Sequence, residues 1–84
     1  MAITNEDLRD LRRWGRNAAL EPECGSALLA GEYMALAISE EERIVIRSEF
    51  EEGARNSGVN QSRVDDAMWS FKDWAEFWMF RVYN

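Results

Sequence analysis

The residues of this 84-residue chain that could do chemistry are carboxylates, arginines and one thiol. Glu40, Glu41, Glu42, Glu49, Glu51 and Glu52 crowd one stretch, and Arg9, Arg12, Arg13 and Arg16 another. Acid-base work by paired carboxylates needs burial or a cleft to move their pKa values apart. Nothing around these glutamates predicts such burial, and their spacing does not follow the alternating oxygen ligands of a calcium loop. Cys24 has no second cysteine for a disulfide; with no histidine in the chain it lacks the usual base and companion metal ligands. A phosphate-cradling glycine loop is also missing from the sequence. No catalytic residue, metal site or cofactor is therefore expected, and the chain reads as non-enzymatic.

What remains is binding chemistry, and it concentrates at the carboxy-terminal end. Seven of the fifteen residues from Trp69 to Tyr83 are aromatic. At about 100° per residue, Val64, Ala67, Met68, Phe71, Ala75, Trp78, Met79 and Val82 form one stripe suited to a core, with Trp74 on its shoulder. Trp69, Phe77, Phe80 and Tyr83 fall outside it, among Asp66, Asp73 and Glu76. Each ring would bury roughly 150 to 250 Å² if covered, more than so short a chain can supply for all of them. The outer rings are therefore expected to form a contact surface for a second molecule. A membrane span is not expected, because Lys72, Asp73, Glu76 and Arg81 interrupt the stretch.

The balance of 16 acidic against 10 basic residues, a net charge of −6, opposes attraction to a phosphate backbone and favours a partner with a basic surface. Glu41, Glu49 and Glu52, on the outward side of the acidic stretch, are the carboxylates expected to meet that surface. The lone cysteine fits a reducing compartment, and Met1 to Asp7 lack the basic and apolar runs of a secretory signal. A cytoplasmic location is expected.

The elements that must position these groups read as helices. Thr4, with Asp7 three residues on, predicts a capping box opening a helix near residues 5 to 20, stapled by Ile3 and Leu8 and turned inward along Leu8, Leu11, Gly15, Ala18 and Ala19. Its opposite side carries the arginine cluster, read as a solvated face or a bridge to the acidic helix. Glu21-Pro22 ends that pattern. A second helix, near 23 to 38, is apolar almost all round and so is expected to be the buried, central one. Ser39 and Glu42 predict another capping box and a third helix, near 40 to 57, with Ile46, Phe50 and Ala54 inward. Gly58 suits a left-handed stop, Asn60 or Ser62 a new cap, and a fourth helix is expected from 61 to 83.

The passage from Ala54 through Gly58 and Val59 to Val64 and Ala67 resembles a helix-turn-helix motif: a small residue, glycine four positions later, and apolar positions on either side of the turn. The resemblance covers about a quarter of the chain. It implies that Asn60, Gln61, Ser62 and Arg63 would begin a recognition helix reading base edges. Asp65 and Asp66 follow at once, and Glu49, Glu51 and Glu52 stand where phosphate contacts would be needed, so the pattern is read here as a device for packing two helices.

The expectation is thus an all-α protein, one domain of residues 1–84 folded as a small compact bundle of about four helices. In size, charge and lack of chemistry it is comparable to small acidic inhibitors and adaptors, immunity proteins and phage-encoded anti-host or anti-CRISPR proteins. Trp69, Phe77 and Phe80, with Tyr83, would dock on a larger protein. The alternatives are a DNA-binding regulator and a homodimer or larger homo-oligomer whose outer rings pair across a symmetry axis.

Overall fold

The computed structural model describes residues 3–83. Four α-helices follow one another: α1 (Asn5–Leu20), α2 (Ser26–Ala35), α3 (Glu40–Arg55) and α4 (Gln61–Phe77), the last running on into a π-helical turn, Trp78–Val82. Among the described residues there is no strand. The protein is all-α, as its sequence pattern predicts.

Each helix start has a local cause. Thr4 Oγ1 accepts from the Asp7 N–H at 3.1 Å and the Asp7 carboxylate accepts from the Thr4 N–H at 3.0 Å, the reciprocal pair the sequence predicts. That backbone donor, chiefly, holds the Asp7 carboxyl below its ordinary pKa. At α3 only half of the expected box forms. Ser39 Oγ accepts from the Glu42 N–H, but the Glu42 carboxylate reaches past the cap to the Ile38 N–H at 3.0 Å. Asn60 caps α4 by accepting from the Arg63 N–H at 3.1 Å. Gly58, at φ +87°, makes the left-handed stop between α3 and α4.

The core is built from two helix pairs. α1 lies closely on α3 and α2 on α4, while α3 meets α2 and α4 only lightly. Two glycines set the first pairing. A Cβ placed on Gly15 would collide with the Phe50 carbonyl, and one placed on Gly53 with the Arg12 carbonyl, so backbone meets backbone from both sides. An ion pair between Arg12 and Glu49, 2.7 Å, ties the same two helices at their edge. Gly31 plays the equivalent part in the second pairing, where an added Cβ would stand 2.7 Å from the Ala75 nitrogen and the Trp74 Cβ. Leu11, Ile46 and Phe50 fill the space between the pairs, and the Phe50 and Phe71 rings stack 4.5 Å apart.

Three expectations are corrected. The second helix is ten residues long and is not the buried centre: Leu29, Leu36 and Ile38 face outward, Ile38 at 76% exposure. Its packing face consists of Ala27, Ala30, Gly31 and Met34, with Tyr33 half-buried against Trp14 at its edge. It stops at Ala35 because Ser39 must be extended to cap α3. The third helix ends at Arg55, two residues early, where the chain turns toward Gly58. Val82, placed on the inward stripe by a 100° period, is exposed because the π turn winds fewer degrees per residue and carries it off the stripe.

Candidate functional site

α4 and its π turn carry the only dense group of rings in the chain, and the structure sorts them by depth. Phe71 is buried, Trp74 and Trp78 are half-buried, and Trp69, Phe77, Phe80 and Tyr83 are exposed. Trp69, on α4, is 60% exposed, and Phe80, eleven positions further on in the π turn, is 64% exposed. All four rings expected to lie outside the core do so.

They are not equivalent. Trp74, Phe77 and Trp78 form an edge-to-face series with centroids 5.4 and 5.6 Å apart, and Tyr83 stacks on Trp78 at 5.7 Å. The i to i+5 bond from the Tyr83 N–H to the Trp78 carbonyl, 2.9 Å, turns Tyr83 back toward α2. There its hydroxyl donates to Glu32 Oε2 at 2.7 Å, and this bond is the main reason its pKa is raised. The indole N–H of Trp78 donates to the Leu28 carbonyl at 3.2 Å. Phe77 and Tyr83 are thus part-anchored to their own chain, whereas Trp69 has the Lys72 ammonium 5.1 Å from its ring centre and neither Trp69 nor Phe80 pairs with another ring among the described residues.

The carboxylates divide similarly. Glu41 and Glu52 are exposed and share one line of α3. Glu49 is turned to Arg12, so its charge is matched within the molecule and not presented outward as expected. On the helical wheel the line of Glu41 and Glu52 lies about 120° from that of Glu40, Arg43, Ile44 and Arg47. The latter line faces α4 across a groove of about 510 Å³. Of the exposed rings, Trp69 lines this groove together with Arg43, Arg47 and Lys72, and Glu41 and Glu52 lie off it.

Sequence reasoning missed that groove. Its lining includes Met34, Met68 and Met79 together with Arg47 and Lys72. The wheel put Met68 and Met79 on the inward stripe, and only the light packing of α3 against α4 leaves them lining an open groove.

The four residues at the helix-turn-helix-like turn are exposed and are largely engaged within the chain. Asn60 caps α4, Gln61 Nε2 donates to Asp65 at 2.9 Å, and Arg63 Nη2 donates to the Leu20 carbonyl at 3.3 Å, closing the end of α1. Ser62 stands exposed beside them. Cys24, exposed, donates to Ser26 Oγ at 3.2 Å. Among the described residues no group of three or more cysteines or carboxylates is arranged to hold a metal ion, and no helix is long and apolar enough to cross a membrane.

Fold and site together define a small helical bundle with an unpartnered aromatic edge on its last helix. No family profile, curated protein or solved structure matches the chain.

Proposed function

We propose that this chain is a non-enzymatic binding protein, an inhibitor or adaptor of the phage anti-host, anti-CRISPR or immunity-protein kind, that docks on a larger protein through the outer rings of α4. The observation that carries this reading is the exposure of Trp69, Phe77 and Phe80 within twelve consecutive residues of α4 and its π turn. Large rings left in water are the side chains from which the energetic centres of interfaces are most often made. Glu41 and Glu52, which form no ion pair among the described residues, add a second feature: they steer encounter with a basic surface without having to touch the rings.

The test begins with capture of the partner from the native host, followed by titration of the purified pair. Trp69→Ala and Phe80→Ala should each weaken binding by about tenfold or more, with helix content unchanged. Glu41→Lys with Glu52→Lys should slow association and flatten its salt dependence while leaving dissociation nearly unaltered. Binding that survives loss of both rings would overturn the proposal.

A further inference from the structure

The groove between α3 and α4 has a composition unlike the rest of the surface. Met34, Met68 and Met79, all three internal methionines of the chain, line it with Ile44, Trp69 and Phe71. Unbranched, polarizable methionines adapt to an irregular or flexible apolar guest. Its size, about 510 Å³, falls in the range of small-molecule sites.

Its rim reverses the charge of the molecule. The whole chain has ten basic against sixteen acidic residues, yet Arg43, Arg47 and Lys72 border the groove against Glu40 and Glu76. Arg43 and Glu40 answer one another at 3.6 Å, and Arg43 also donates to the Ala37 carbonyl at 3.4 Å. Arg47 and Lys72, one from each wall, form no ion pair among the described residues. Only Glu76 opposes them.

We propose that this groove binds a single-chain anionic amphiphile, its alkyl chain lying along the methionines and its carboxylate or sulfate head between Arg47 and Lys72. An unbranched tail fits the methionine lining, and an anionic head meets the two cations whose charge is unmatched. A cationic head would be repelled from the same rim. The groove shares Trp69 with the proposed docking surface, but its occupancy is tested without any protein partner.

Methyl-labelled methionine NMR on the intact chain gives the readout. Dodecanoate, added below its micellar concentration near neutral pH, should shift the Met34, Met68 and Met79 methyl signals together and saturably. Dodecyltrimethylammonium, with the same tail, should bind about tenfold more weakly or less. Arg47→Glu with Lys72→Glu should remove that preference for the anion; both side chains are exposed, and an unchanged circular dichroism melt will show that the fold is kept. Equal binding of the two amphiphiles by the unaltered protein, shifts that spare these three methyls, or no saturable shift would each overturn the proposal.

Discussion

Gly15 and Gly53 stand at the closest approach in the molecule, and their importance lies in what is missing from them. At each, a methyl group would enter the space of a backbone carbonyl on the facing helix, which cannot rotate away as a side chain could. Gly53→Ala or Gly15→Ala should therefore cost about 2 kcal/mol or more and lower the melting midpoint by about 10 °C, measured by thermal circular dichroism. Gly58→Ala is the control. Nothing lies within 4 Å of its would-be Cβ, so only the left-handed backbone conformation is penalised, at about 1 kcal/mol.

Tyr33 offers a second measurement at this scale. Burial, with the neighbouring Asp7 carboxylate adding to it, pushes the phenol up to about 12 from an ordinary 10.0. The folded state thus holds the proton more tightly than the unfolded chain, so its contribution is fully present below pH 10 and is lost as the pH climbs toward about 12. Stability followed by denaturant titration should fall across that window. Tyr33→Phe should remove part of the slope; an unchanged slope would place the raised pKa elsewhere.

Helices here are specified mainly at their ends. Asn60 closes the first turn of α4 just where the chain comes off Gly58, and α4 with the π turn that follows it leads to every candidate docking ring. Asn60→Ala should cost about 1 kcal/mol, and Asn60→Asp or Asn60→Ser should restore most of it, as read from chemical denaturation. The far end of the same element behaves otherwise. From Trp78 onward the bonding pattern changes to i to i+5, and Tyr83 is fastened to Glu32 of α2. The widened turn shifts the facing of every residue after it, and no residue type in Trp78-Met79-Phe80-Arg81-Val82 announces that change.

At the scale of the molecule, the question is whether the outer rings belong to folding or to recognition. Trp69 and Phe80 lie outside the core that Leu11, Ile46 and Phe50 occupy. Trp69→Ala with Phe80→Ala should hence leave the folding free energy within about 0.5 kcal/mol of the parent, while solubility at high concentration rises. A large loss of stability in urea would make them structural. Light scattering of the unaltered chain at dilute and concentrated protein distinguishes docking on another protein from pairing between copies of this one.

Sequence by itself determined that the chain is helical, where its helices begin, and that more rings crowd the last helix than a small core can hold. Capping residues, Gly58 and the periodicity of α1, α3 and α4 are local features, and local features are written in neighbouring residues. An excess of aromatics over available interior is likewise a matter of counting: the helical wheel set Trp69, Phe77, Phe80 and Tyr83 off the core stripe, and the count required that some rings stay wet without saying which. Tertiary structure alone decided how far each helix is covered. The near-continuous apolar pattern of α2 suggested burial, yet Leu29, Leu36 and Ile38 face water because the small residues of one side make all the close contacts. It also turned Glu49 inward to Arg12, brought Arg63 to the end of α1, and opened a cation-rimmed groove by seating α3 on α1 and not on α4. Those outcomes depend on which helices meet and how closely, a choice made by contacts between residues dozens of positions apart that no local pattern records.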